Sequence, residues 1–454
     1  MNFDFLKGKK IVVFGLGKAG LSAVQKLSLC DVKIIAADDS VDAMQKLNAR
    51  NLPNVSVTAI SDINWKEVQY LLLSPGVPFT HPQPHEVVKL AQKVGCPIVC
   101  DVEFLYKANK DAKFIGITGT NGKSTTTSLI GHVMKQSGLK VTVGGNIGIP
   151  VLDLESLDED GFYVVEMSSY QLDLIDEMKF TISVWLNITP DHIDRHGDIA
   201  GYIKAKKHIF AHQKKNEVAI IGVDEEHSKK LYEDLKKDKV IGNIIPISVE
   251  HILPYGVSMI NGVIYDNISD KKIIKLEELK YLRGKHNAQN IAAAYVAVKF
   301  AGVTENNFVE SLKSFKGMPH RMQYIANKNG IIYVNDSKAT NAEAASKALD
   351  TYDNIYWLAG GVQKEGGIES LRKFFPKIKH AFLFGQARDE FAQTMKGYVE
   401  YSIFSNMEEA FKAARSLATK DNTKDPVILL SPACASFDQW QNFEARGEAF
   451  AKLV

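Results

Sequence analysis

Lys113-Phe114-Ile115-Gly116-Ile117-Thr118-Gly119-Thr120-Asn121-Gly122-Lys123-Ser124-Thr125 decides how this chain is read. A continuous apolar run ends in a glycine loop, and the loop ends in Lys-Ser ahead of a helical stretch. Strand, glycine loop, lysine and helix make a P-loop, in which backbone amides cradle phosphates. Lys123 would reach the β and γ oxygens and Ser124 would hold Mg²⁺, so ATP and Mg²⁺ are the implied pair. The usual spacing wants glycine at 117, where Ile117 stands. The chemistry survives that departure, which points to a subclass.

Outward from this stretch the same pattern recurs: a short apolar run, then a Gly-, Ser- or Asp-rich turn. Residues 10–14 run into Gly15-Leu16-Gly17, 33–37 into Asp38-Asp39, and 70–73 into Ser74-Pro75-Gly76. Residues 162–165 run into Glu166-Met167-Ser168-Ser169, and 182–186 into NITPDH. Continuous rather than alternating apolar runs mean strands buried on both faces, and intervening helical stretches such as 21–29 make the class α/β with parallel sheets. Near Gly242 the pattern changes, and residues 249–281 read as a small β appendage. A helix over 287–300 follows. The α/β pattern then restarts at 331–334, 355–358, 381–384 and 427–430. Boundaries fall near 102 and 316. In such sheets ligands bind at the carboxyl ends of the strands, where almost every polar motif here sits.

Gly15-Leu16-Gly17-Lys18-Ala19-Gly20 fits G-x-G-x-x-G, with Asp38 at the next strand end. A dinucleotide is the usual ligand, a nucleotide-diphosphate sugar satisfies the same physics, and a ligand-free tight turn is the plain alternative. A nicotinamide oxidoreductase is the competing reading from another class. Glu166 beside a P-loop suits a Mg²⁺ ligand, although alone it would read as a helix N-terminal charge. His192 and His196 are four apart, as are His208 and His212 on an expected helix. Zinc is conceivable at the first pair, but no third ligand follows and Pro190 argues for a loop. Lys204-Ala205-Lys206-Lys207 reads, by itself, as a solvated basic face. Asn287 and Asn290 are one turn apart and could read a base edge, and Arg321 could reach phosphate. Asp336 and Lys338 could bind nucleotide and carboxylate.

The 454 residues carry 55 Lys+Arg against 53 Asp+Glu, a net charge of +2 that gives no footprint for nucleic acid. Four cysteines at 30, 96, 100 and 434 match neither a zinc ribbon nor a disulfide framework, so reduced thiols are expected. There is no apolar leader and no stretch able to span a membrane, so a cytoplasmic protein is expected.

GTNGKST, D-H-x-D-R-H, G-x-H-N-x-x-N and H-R, in this order, resemble the Mur ligase family of peptidoglycan synthesis. The resemblance runs from Gly15 to Gly447. DSKATN and SPACASFDQW narrow it to the branch that adds D-glutamate, where sister branches carry Asp-Tyr-(Ala/Gly)-His in place of Asp336-Ser337-Lys338. It implies three domains: a Rossmann-like UDP-sugar domain (1–102), a central P-loop ATP domain with a small β appendage (103–316), and a Rossmann-like amino-acid domain (317–454). It implies a monomeric ATP-dependent ligase joining D-glutamate to UDP-N-acetylmuramoyl-L-alanine through an acyl phosphate.

By the same resemblance Gly17, Lys18, Ala19, Asp38, Ser74, Pro75, Gly76, Asn146, Ser168 and Gln171 match the UDP-substrate site. Asp39-Ser40 departs from the Thr-Arg of some relatives. Gly119, Thr120, Asn121, Gly122, Lys123, Ser124, Thr125, Asn287, Asn290, Arg321 and Asp336 match ATP contacts. Lys338, Thr340, Lys364, Ser436 and Phe443 match the D-glutamate pocket. Lys123, Glu166, His192 and Lys206 match the catalytic set. Ser124, Glu166, His192 and Lys206, the last carbamylated, match the ligands of two Mg²⁺ ions.

Overall fold

The computed structural model describes every residue except Asp270, Glu277, Glu278, Lys280, Glu365 and Asn422. Three sheets organise the described residues. The first has β1 (Lys9–Phe14), β2 (Val32–Ala37), β3 (Val55–Val57), β4 (Tyr70–Leu73) and β5 (Ile98–Val99), in the order β3-β2-β1-β4-β5. All its pairs are parallel. The order reverses at β1, so the crevice above β1 and β4 is the place for a ligand.

The second sheet comprises β6 (Lys113–Thr118), β7 (Val141–Gly145), β8 (Phe162–Glu166), β9 (Ile182–Trp185), β10 (Val218–Gly222), β11 (Asn243–Ser248), β12 (Val257–Ile260), β13 (Val263–Asp266) and β14 (Lys272–Lys275). β6 lies inside it, between β8 and β9, and both pairings are parallel. The apolar run of β6 is therefore an interior strand, buried on both faces, and its glycine loop stands at a switch point. The expected β appendage is present as β12, β13 and β14, and it is continuous with the central sheet. β12 pairs in parallel with β11, and β13 and β14 add antiparallel strands, so the stretch prolongs the central sheet. Positions 270, 277, 278 and 280 of the expected appendage lie outside the described residues.

The third sheet holds β15 (Gln323–Lys328), β16 (Ile331–Asn335), β17 (Ile355–Gly360), β18 (Ile378–Phe384), β19 (Tyr401–Ile403) and β20 (Val427–Leu430). Its order is β15-β16-β20-β17-β18-β19. Only β15 departs from the parallel expectation, pairing antiparallel with β16.

Two compact units result: Met1–Glu277 with Ala288–Lys313, and Glu278–Asn287 with Ser314–Val454. The first two sheets belong to one unit, and one apolar core runs under both, from Leu6 through Phe104 and Phe114 to Trp185. The second unit packs its sheet between two apolar layers, one around Trp357 and Leu429, the other around Tyr356 and Phe411. The expected helices begin two or three residues early, as Lys18–Leu27 and Lys285–Phe300. No described helix is long and apolar enough to cross a membrane. All four cysteines are free; Cys96, Cys100 and Cys434 are buried and Cys30 is half-buried.

Candidate active site

The loop after β6 leads into the helix Lys123–Gln136, capped by Gly122 at φ 86°. A Cβ on Gly122 would overlap the Asn290 carboxamide, so this turn needs glycine twice over, for its dihedral and for its space. Asn290 also accepts a hydrogen bond from the Thr126 hydroxyl at 3.1 Å. The Lys123 amine donates to the carbonyls of Gly119 and Thr120 at 2.9 and 2.8 Å. Thr120 is tied to the next loop: its hydroxyl donates to Thr189 O at 3.1 Å and accepts from Thr189 N. Asn187 accepts from Asn121 N at 2.8 Å. Ser124 and Thr125 are buried at the start of the helix.

Around this loop the sheet places its charged groups. Glu166, the last residue of β8, is only 2% exposed. Its Oε1 accepts from Asn146 Nδ2 at 2.9 Å, while its Oε2 is buried without a hydrogen-bond partner. Lys206 corrects the reading of a uniformly solvated basic face. In the helix Ile199–Lys207, Lys204 and Lys207 are exposed but Lys206 is 1% exposed. Its amine donates to Gly119 O at 2.9 Å and the Thr118 hydroxyl at 3.2 Å. Burial pushes that amine well below the usual lysine range, and the Lys123 charge pushes the same way.

His192 caps the short helix Ile193–His196 from a left-handed conformation, φ 53°. Its ring is half exposed, with Asp191 Oδ2 at 3.4 Å from Nε2. His196 packs against the same Tyr170 and Tyr202 rings but lies deeper. It is buried, 2.9 Å from the Ser169 hydroxyl, and burial lowers it to about 4. The helix expected around His208 and His212 ends at Lys207; His208 starts a 3-10 turn and His212 follows it. Among the described residues no group of three His, Cys, Asp or Glu side chains could hold a metal by itself.

At the first sheet, Gly17, Lys18 and Ala19 form the start of the helix Lys18–Leu27. Asp38 accepts from the amides of Leu16 and Ser40, so its carboxylate braces the glycine loop. The Ser74 hydroxyl donates to Gly15 O at 2.6 Å. Gly20 is packed so closely that a Cβ would overlap the Gly15 carbonyl oxygen. Gly20→Ala is accordingly expected to cost on the order of 2 kcal/mol of stability, because the helix must move off the loop. Thermal unfolding checks this. Ser168 and Gln171 form a capping box at the start of the helix Ser169–Leu172. The Lys18 amine reaches Gly148 O at 2.6 Å, near Asn146.

In the second unit, Asp336 follows β16 and is buried. It accepts from the Ser431 hydroxyl at 2.7 Å and from Met322 N at 3.0 Å, and burial raises it to about 7. Arg321 has its Nε buried without a partner. Asn287 donates to Arg283 O at 2.7 Å. The Lys338 amine lies 5.3 Å from the Phe443 ring centre. Ser436 is buried, Lys364 is exposed, and Thr340 N donates to Lys338 O at 2.9 Å.

Sequence reasoning assigned no role to two arginines that organise these loops. Arg446 is fully buried and donates to Ser337 O at 2.8 Å, Ser337 Oγ at 3.0 Å and Cys434 O at 3.0 Å. It thereby ties the DSKATN loop to the SPACASFDQW loop. Arg195 does the equivalent in the first unit. No sequence signal separates a buried arginine from a solvated one.

A P-loop at the switch point of a mixed sheet, with a buried carboxylate on the adjoining strand and a buried lysine amine beneath the loop, defines a phosphate-handling site. Comparison with known proteins gives its lineage. Residues 9–100 match the Mur ligase MurD-like N-terminal domain, 117–298 the Mur ligase middle domain, and 320–434 the Mur ligase glutamate ligase domain. The chain belongs to the Mur ligase family. It is 44% identical over 451 residues to a UDP-N-acetylmuramoylalanine–D-glutamate ligase of Rickettsia bellii, covering 98% of this chain and 97% of that one. It is 42% identical to the ligase of the same name from Paramagnetospirillum magneticum, covering 100% and 98%. Solved structures with the same fold include the UDP-N-acetylmuramate–alanine ligase MurC of Thermotoga maritima. That chain has TM-score 0.58 and 17% identity, with 98% of each chain covered. Another is the MurF ligase of Thermotoga maritima in complex with ADP, with TM-score 0.57 and 19% identity, covering 98% and 95%.

Proposed function

We infer that this protein is the ATP-dependent, ADP-forming ligase that adds D-glutamate to UDP-N-acetylmuramoyl-L-alanine in peptidoglycan precursor synthesis, which serves cell shape and division. The observation that carries this reading is full-length identity of 40–44% to D-glutamate ligases, joined to a site that keeps Lys123, Glu166, His192 and Lys206. We assign residues 1–102 to the UDP-sugar, 103–316 to ATP and 317–454 to the amino acid. The enzyme acts as a monomer in the cytoplasm, with no nucleic acid or membrane partner.

The L-alanyl carboxylate attacks the γ-phosphorus of ATP, the bond to the β-γ bridging oxygen breaks, and ADP leaves. The acyl phosphate formed is attacked by the amine of D-glutamate. The tetrahedral intermediate then collapses, expelling inorganic phosphate. Lys123 neutralises charge on the transferring phosphoryl group, and the amides of Gly119–Thr125 hold the phosphates. Thr120 and Asn121 keep the loop in register with the 187–189 segment. The donors present fit Mg²⁺: the orphaned buried oxygen of Glu166 and the hydroxyl of the buried Ser124 are the hard oxygen ligands that would hold it. When bound, two Mg²⁺ ions supply charge neutralisation at the phosphoryl group. Ser124 and Glu166 would serve one, His192 and Lys206 the other. Lys206 fits a carbamate because burial shifts its amine toward the neutral form, the form that attacks CO₂, and the anion formed suits a cation beside it.

Asn287, Asn290, Arg321 and Asp336 complete the ATP contacts. Lys338, Thr340, Lys364, Ser436 and Phe443 take D-glutamate, two ammonium groups answering two carboxylates. Gly17, Lys18, Ala19, Asp38, Ser74, Pro75, Gly76, Asn146, Ser168 and Gln171 take the UDP-sugar.

Phosphate release with ATP, Mg²⁺ and UDP-N-acetylmuramoyl-L-alanine is expected only when D-glutamate is added. An amino-acid panel tests this, and faster turnover with L-alanine, L-lysine, diaminopimelate or L-glutamate would move the protein to a sister activity. Binding of NAD(H) in preference to the UDP-sugar would instead favour the oxidoreductase reading.

A further inference from the structure

Arg195 sits in the helix Ile193–His196, directly after the His192 segment of the central sheet. Its guanidinium crosses to the first sheet and donates to three successive carbonyls: Gly76 O at 2.9 Å, Val77 O at 3.0 Å and Pro75 O at 3.4 Å. It also lies over the Tyr170 ring, 4.5 Å from its centre. Tyr170 stands between Ser169 and Gln171, in the helix that the Ser168 capping box begins. The same ring packs against His192, 5.2 Å between centres. Residues 75–77 are in turn braced to the glycine loop, because Ser74 donates to Gly15 O.

Three carbonyls converging on one guanidinium form a clamp that a loop of Pro and Gly cannot supply from its own side chains. A charge-assisted bond to a carbonyl is stronger than a neutral one, and the planar fork serves several acceptors where an ammonium serves as a point charge. We propose that Arg195 is a positioning residue that holds the 75–77 loop in the shape that receives the UDP-sugar. This proposal rests on the reading of the first unit as the UDP-N-acetylmuramoyl-L-alanine site. Arg195 touches no reacting atom; it acts through the loop.

Steady-state phosphate release, with each substrate varied in turn, tests it. Arg195→Ala is expected to raise KM for UDP-N-acetylmuramoyl-L-alanine about tenfold or more, the effect of losing a charged hydrogen-bond donor. KM for ATP should stay within about twofold, because the ATP loop keeps its own ties to residues 187–189. Arg195→Lys keeps the charge and the fold and serves one carbonyl, so it should recover part of the loss. Wild-type turnover with an unmoved KM for the UDP-sugar in Arg195→Ala overturns the proposal alone. So does a parallel rise in both KM values with a lowered Tm in both variants, which would mark a merely structural arginine. Absence of substrate-dependent phosphate release in the wild type overturns the functional reading first, and the proposal with it.

Discussion

Lys206→Met is expected to lower turnover by about 10³-fold while leaving the melting temperature level or higher. Methionine fills nearly the same buried volume as the lysine stem and removes only the amine. The amine is costly to bury charged, and burial accordingly pushes it well below the usual lysine range. A neutral amine attacks CO₂, forming an N–C bond and releasing one proton to leave a carbamate anion. That step gives a second readout on the wild type. Turnover should fall in CO₂-stripped buffer and return with bicarbonate, whereas Lys206→Met should answer to neither. Near-normal turnover in Lys206→Met would remove the residue from catalysis altogether.

Glu166→Gln should bring a loss of similar size, about 10²–10³-fold in turnover. The change is isosteric and keeps an acceptor for Asn146, but it removes the negative charge beside the P-loop. Stability should move the other way. Oε2 of Glu166 is buried with no hydrogen-bond partner, and such an oxygen costs on the order of 1–3 kcal/mol. An apparent Tm measured without Mg²⁺ should therefore rise in Glu166→Gln. Adding Mg²⁺ with ATP should stabilise the wild type more than the variant. A variant that turns over normally, or that responds to Mg²⁺ and ATP as the wild type does, would place the metal elsewhere.

The architecture was legible because buried parallel strands announce themselves. Residues 70–73 and 427–430 are apolar throughout and ended where the structure ends them, since each is flanked by a turn that cannot continue a strand. The stretch after Gly242 was harder. Its last three strands are only four residues each and grow more exposed toward Lys272–Lys275, and nothing in a hairpin's own residues tells whether its edge will join a neighbouring sheet. The site divides in the same way. Glycine-rich loops carry their geometry in their composition, so Gly15–Gly20 and Gly116–Thr125 stood out. Lys206 did not, because Lys204, Lys206 and Lys207 are identical as letters and differ only in what packs over them. The roles of Arg195, although it falls within D-H-x-D-R-H, and of Arg446 were invisible for that reason too: most of their hydrogen bonds go to backbone carbonyls, which every sequence has. The resemblance to a family supplied Lys206, and only coordinates supplied the arginines.

The sulfur chemistry of the chain is as informative as its lysines. Burial raises the thiols of Cys96 and Cys434 to about 11 and 12, and drives Cys100 upward as well. Cys434 keeps its proton although Arg446 stands beside it, because burial outweighs that attraction. A thiol must ionise before it reacts with peroxides or alkylating reagents. Cys96, Cys100 and Cys434 are thus held as protonated thiols, and Cys434 is a poor target for a thiol-directed reagent even though it lies within the SPACASFDQW motif.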